Sequence, residues 1–195
     1  GMLFDARVVD PWLFDQDVKA GARFFAVNRD LDVYQKFESG FSADFTWEVA
    51  EFDTLLLYAA MSYVNITDAM IDSKNLGATE YNHNRVRLTW THDERNNKVS
   101  PSDGWITDVA GEMGTVIGTE NASYLKWEMR GSWYVPVKET NHVALGLRSG
   151  MLIPATAAEV PIDLRYFLGG ASTVRSFPER ELGPRNSDDV TTGGE

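Results

Sequence analysis

The chain has 195 residues, with 18 Lys+Arg against 29 Asp+Glu, and a net charge of −11. That acidity argues against nucleic acid and against an anionic membrane surface as partners. There is no cysteine, which excludes disulfides, thiolate metal sites and a cysteine nucleophile, and no run approaches the ~18 apolar residues of a membrane-spanning helix.

The dominant period along the chain is two. Strand-like segments fall at about 2–9, 18–29, 40–50, 53–66, 82–93, 105–117, 122–134 and 142–153. The first runs into a turn at Asp10-Pro11-Trp12-Leu13-Phe14. The third sets Phe41, Ala43, Phe45, Trp47 and Val49 against Ser42, Asp44, Thr46 and Glu48. Glu51-Phe52-Asp53 reads as a tight turn. A longer polar stretch follows from Asp68 to Tyr81, with a short helix expected near Asp68–Met70. The fifth segment sets Val86, Leu88 and Trp90 against Arg85, Arg87, Thr89 and Thr91. A second long polar connection runs from Asp93 to Gly104. In the sixth, Trp105, Val109 and Met113 oppose Asp108 and Glu112. After a turn at 118–121, Leu125, Trp127, Met129, Gly131 and Trp133 oppose Lys126, Glu128, Arg130, Ser132 and Tyr134. Pro136 to Asn141 reads as a turn, and Val143, Leu145 and Leu147 then oppose Ala144, Gly146 and Arg148.

Such alternation marks antiparallel strands with one apolar and one polar face. Several have the ~9–11 residues that a tilted strand needs to cross a bilayer. The polar faces carry both signs of charge, as the wall of a water-filled barrel would. A soluble sheet with one wetted face has the same pattern. Periodicity does not separate the two, and exposure of Trp127 and Leu145 does. Trp47, Trp90, Trp105 and Trp133 fall near strand ends on the apolar face, where an interfacial girdle would lie.

The most informative stretch is 165–184. It has an apolar lead-in, the pair Gly169-Gly170, then Val174-Arg175-Ser176-Phe177, then Leu182-Gly183-Pro184. Paired glycines permit a turn closed to other residues, and Pro178 and Pro184 stiffen the return. Arg175 sits between apolar neighbours and offers a fork of donors suited to a carboxylate; a solvated surface arginine is the plainer alternative. The stretch resembles the long extracellular loop of the BamA/TamA-type outer-membrane β-barrel assembly family, also called bacterial surface antigens. There the loop carries Val-Arg-Gly-Phe/Tyr and folds back into the barrel; Ser176 stands where glycine is usual. Asp93, Arg95, Asn96, Pro101 and Gly104 are similar to the family's Asp-x-Arg-(Asp/Asn)…Pro-x-x-Gly hairpin, with one extra residue before Pro101 relative to the commonest form. The turn after Asp10 resembles an early-barrel turn of the same proteins.

The resemblance implies an all-β antiparallel meander. It would be a partial transmembrane barrel of about eight strands over 1–160, with the extracellular loop over 161–195. The abrupt ends and Gly1, which looks like a tag scar, suggest a piece of a longer protein. The family barrel is larger, so its lateral seam and periplasmic repeats would lie outside the chain. The implied function is to assemble, insert or translocate proteins at the bacterial outer membrane, as a scaffold without cofactor and not as an enzyme. BamA-like insertion, TamA-like assembly and two-partner secretion share the loop. Implied partners are outer-membrane lipid, unfolded outer-membrane or secreted proteins, and assembly-complex components of unknown identity. Alternatives are a passive porin or receptor barrel, and a soluble eight-stranded lipocalin-like barrel. In the family the loop arginine meets acids on strands beyond the loop, so Arg175 is expected to lack its partner here and to act by locking the loop in the lumen. With two open edges, the chain by itself is expected to self-associate.

No catalytic constellation emerges. His83, His92 and His142 lie on separate segments without metal-ligand spacing. Ser172 is not in a nucleophile elbow. The pairs Asp93-Glu94 and Asp188-Asp189 read as solvated loop acids, not as calcium ligands.

Overall fold

The computed structural model describes residues 3–31, 34–69, 76–138, 141–171, 173–185 and 191–194. Eight strands form one antiparallel sheet, each beside its neighbours in sequence. They are β1 (Leu3–Asp10), β2 (Val18–Leu31), β3 (Tyr34–Ala50), β4 (Asp53–Thr67), β5 (Glu80–Asp93), β6 (Gly104–Gly118), β7 (Ala122–Lys138) and β8 (Asn141–Pro154). Among the described residues the sheet is not closed, because β1 pairs only with β2 and β8 only with β7. The 155–194 loop leaves from the same end as the 68–79 connection; the 94–103 hairpin lies at the opposite end, here called the hairpin end.

All eight expected segments are strands. β3 begins at Tyr34 and not near 40, because Lys36 and Glu38 face the inner side of the sheet and find partners there. β7 runs through Pro136 to Lys138, where a turn was expected. The register shifts between Pro136 and Lys138, and such a bulge is where a strand tolerates proline. The helix expected near Asp68–Met70 reaches outside the described residues.

The apolar face is the outer one. Trp127 is 40% exposed and Leu145 56% exposed, with Phe41, Met61, Leu88 and Met113 alongside. Ser42, Ser62, His83 and Glu112 of the other face are buried. This excludes the lipocalin-like alternative, in which the apolar face would line a closed interior. The buried core lies on the inner face beneath the 155–194 loop. There Val160, Ile162 and Leu164 pack on Tyr34, Val64, Ile66, Tyr81, Val116, Tyr124 and Leu152.

Trp47, Trp90, Trp105 and Trp133 gather at the hairpin end on the outer face, with Trp105 directly opposite Trp133 across the β6–β7 pair. The polar tips of two of them are used. Trp90 Nε1 donates to Asp53 (2.9 Å) and Trp105 Nε1 to Glu94 (3.0 Å). Rings with one apolar body and one satisfied N–H suit the boundary between hydrocarbon and water.

Candidate functional site: the loop seated on the inner face

After β8 the chain turns over the inner face and makes a short 3₁₀ turn, Ile162–Leu164, led by Pro161. Ile162 and Leu164 enter the apolar core. Asp163 between them is buried, its side chain 2% exposed. Its carboxylate lies 2.6 Å from Lys36 Nζ of β3 and accepts a 2.5 Å hydrogen bond from Tyr81 Oη of β5. Lys36 also meets Glu38 at 3.0 Å, and Ser62 Oγ donates to Glu38 at 3.2 Å. Burial alone would disfavour the charged form of Asp163. The Lys36 ammonium and the hydrogen bond from Tyr81 outweigh it and hold the carboxyl below its ordinary value.

The returning part of the loop is stapled to the same region. Tyr166 pairs with Gly194 and Leu168 with Leu182 through backbone bridges. Arg165 donates to Val160 O (2.9 Å), to Thr192 O (3.3 Å) and to Glu159 (2.6 Å). Tyr166 Oη donates to Glu128 of β7 (3.1 Å), and Lys126 lies over its ring. Arg180 donates to Tyr34 Oη and to Ile162 O, and its guanidinium lies 3.9 Å from the centre of the Phe167 ring. Below these contacts the wall carries a continuous polar chain. His83 Nε2 and Tyr124 Oη are 2.7 Å apart, Tyr124 Oη donates to Glu112 (2.9 Å), and Arg87 joins Glu112 to Glu128.

The sequence motif forms the tip. Gly169 and Gly170 have φ of +108° and +82°, and a Cβ on Gly169 would collide with the Pro178 carbonyl. The two glycines are therefore required by the turn. Thr173 Oγ1 bonds both the N–H and the carbonyl of Gly169. Gly170 N donates to Phe177 O (2.9 Å) and Phe177 N to Val174 O (3.1 Å), so Val174-Arg175-Ser176-Phe177 is one closed turn. Gly183 has φ +152°, and Pro184 O accepts from Thr192 N and Oγ1. Val174, Arg175, Ser176 and Phe177 are all exposed. Arg175 makes no ion pair or hydrogen bond with any described residue. Within this chain the loop meets the wall through Asp163, Tyr166 and Arg180, and Arg165 ties the loop to itself; none of the four stands out in the sequence. Asp163 precedes the motif by only a few residues, but nothing local reveals its distant partners Lys36 and Tyr81.

The second motif is a self-contained hairpin. Arg95 grips Asp93 with Nε (2.7 Å) and Nη2 (2.8 Å). Asn96 Oδ1 accepts from the N–H groups of Ser102 and Asp103. Pro101 precedes that return. Gly104 has φ +93°, and a Cβ there would collide with the Glu94 carbonyl. Asp93, Arg95, Asn96 and Gly104 thus each have a local structural reason. His83 and His92 are engaged with Tyr124 and Asp53, and His142 lies apart on β8. Ser172, Asp188 and Asp189 lie outside the described residues.

Comparison with known proteins follows this geometry. A family profile described as the Omp85 superfamily domain matches residues 2–195. The outer membrane protein assembly factor BamA of Nitratidesulfovibrio vulgaris is 23% identical over 190 residues, covering 95% of this chain and 24% of that protein. A SAM50-like protein of Schizosaccharomyces pombe is 27% identical over 132 residues, covering 66% of this chain and 28% of that one. The mouse (Mus musculus) sorting and assembly machinery component 50 homolog is 29% identical over 101 residues, covering 52% and 21%. Among solved structures, BamA from Haemophilus ducreyi lacking POTRA domains 1–3 superposes with a TM-score of 0.84 at 16% identity, covering 99% of this chain and 42% of that one. The open eight-stranded meander therefore has the fold of part of a larger barrel. The chain spans about a quarter of the length of these curated relatives.

Proposed function

The chain belongs to the Omp85 superfamily, and on that premise we propose that it forms part of the transmembrane barrel of a factor that inserts β-barrel proteins into a bacterial outer membrane. The observation that carries this reading is the seated loop: its base is buried on a polar inner wall while the outer face stays apolar. A packed loop on the lumen side narrows any conducting path and braces the wall, which suits a scaffold better than an open pore. The relatives named as assembly factors support the same reading.

The part played by this chain is mechanical. Outward Leu, Met and Phe side chains meet lipid, the aromatic group at the hairpin end sets depth in the bilayer, and the loop braces the wall. Incoming unfolded outer-membrane proteins would add strands at a sheet edge, where unpaired N–H and C=O groups serve as a template. No bond-making chemistry is required, and no cofactor is proposed. The test is reconstitution of the full-length protein in liposomes with an unfolded β-barrel substrate. Faster appearance of the heat-resistant folded substrate than in empty liposomes supports assembly. An unchanged folding rate together with solute efflux supports a passive pore.

A further inference from the structure

We propose that Asp163 is the positioning residue that seats the loop on the barrel wall, and that the loop's base stays docked independently of its Arg175 tip. The two parts differ in what holds them. Among the described residues, the backbone hydrogen bonds of the 170–177 turn lie within that turn, and the Thr173 hydroxyl bonds Gly169. The base, by contrast, reaches two strands far away in sequence: Asp163 meets Lys36 of β3 and Tyr81 of β5.

The arrangement is directional as well as buried. Lys36 lies between two carboxylates, Asp163 and Glu38. Arg180, reaching back from beyond the tip, covers Tyr34 and Phe167 beside them. Lys36, Asp163 and Arg180 line one cleft of about 290 Å³ where the loop meets β2 and β3. Ammonium and carboxylate at 2.6 Å fix the depth of the loop, and the Tyr81 hydroxyl fixes its rotation. Moving the base outward would strip Asp163 of both Lys36 and Tyr81 and leave Lys36 with Glu38 alone. Nothing at the tip imposes such a penalty.

The experiment reads loop position directly and does not depend on whether the protein assembles others. In the full-length protein, folded in detergent and otherwise free of cysteine, Ile162→Cys reports on the base through its rate of maleimide labelling. The site is fully buried, so slow labelling is expected in the parent and equally in Arg175→Ala. Asp163→Asn and Lys36→Met are each expected to speed labelling by at least about tenfold, since Lys36→Met leaves the buried Asp163 carboxylate without its cation and Asp163→Asn removes the loop's charged hold on Lys36. The reversed pair, Asp163→Lys with Lys36→Asp, is expected to restore slow labelling, which a merely destabilised loop would not do. Heat-modifiable gel mobility identifies folded barrels. If Asp163→Asn does not fold, Tyr81→Phe serves as the milder variant and is expected to give a smaller increase. Unchanged labelling in a folded Asp163→Asn or Tyr81→Phe barrel, or fast labelling in Arg175→Ala, overturns the proposal.

Discussion

Asp163 shows how one residue can hold a long loop. Removing the cation from a buried ion pair costs about 3–5 kcal/mol, so Lys36→Met is expected to lower unfolding stability by that order in urea titrations of the folded protein, and Asp163→Asn by less, because Lys36 keeps Glu38. The folded-state carboxyl is held below its usual value. Its contribution is therefore fully present above the unfolded aspartate value of about 4 and is lost as pH falls through the lower folded value. Loop protection, read by hydrogen exchange, is expected to be flat from pH 8 to 5 and to weaken only in stronger acid. Weakening between pH 7 and 5 would contradict this. Gly104 offers a second check. Its φ of +93° and the crowding carbonyl of Glu94 mean that Gly104→Ala is expected to cost at least about 1 kcal/mol, measured as a shifted urea midpoint. The hairpin was legible in the sequence because Asp93, Arg95, Asn96 and Gly104 interact within a dozen residues. The seat of the loop was not, because Lys36 and Tyr81 are distant from Asp163 and carry no local signature.

At the scale of the strands, period-two alternation named all eight, because lipid or solvent on one side and a polar wall on the other impose opposite chemistry on successive residues. The misjudged boundaries lie where inner-face chemistry hides the pattern. Tyr34, Lys36 and Glu38 look like a polar turn until their partners on β4 and the loop are known, and Pro136 looks like a stop until the bulge accommodates it. The faces make a direct prediction. Leu88 on the outer face is half exposed, and Leu88→Arg is expected to cost about 2–4 kcal/mol if it lies near the bilayer midplane. Thr89→Lys, one residue on and facing inward, is expected to cost much less. Folding titrations of both variants in liposomes check the difference, and equal costs would refute the assignment of faces.

Across the whole molecule, the outer apolar surface and the free edges of β1 and β8 act together. Alone, this chain exposes two rows of unpaired backbone groups beside a broad apolar face, and both favour association. Light scattering in mild detergent is expected to show dimers or larger species, and a persistent monomer would count against that expectation. The loop motif pointed to the family from sequence, whereas the packing that gives the loop its place emerged only from the assembled sheet. The most direct measurement is made in the cell. The full-length protein is depleted, and the levels of several unrelated outer-membrane β-barrels are followed by quantitative proteomics, with complementation by the wild type. A parallel fall in those barrels, reversed by the wild type, is the result expected of an assembly factor. Unchanged barrel levels with loss of a single secreted product or a solute flux would contradict it.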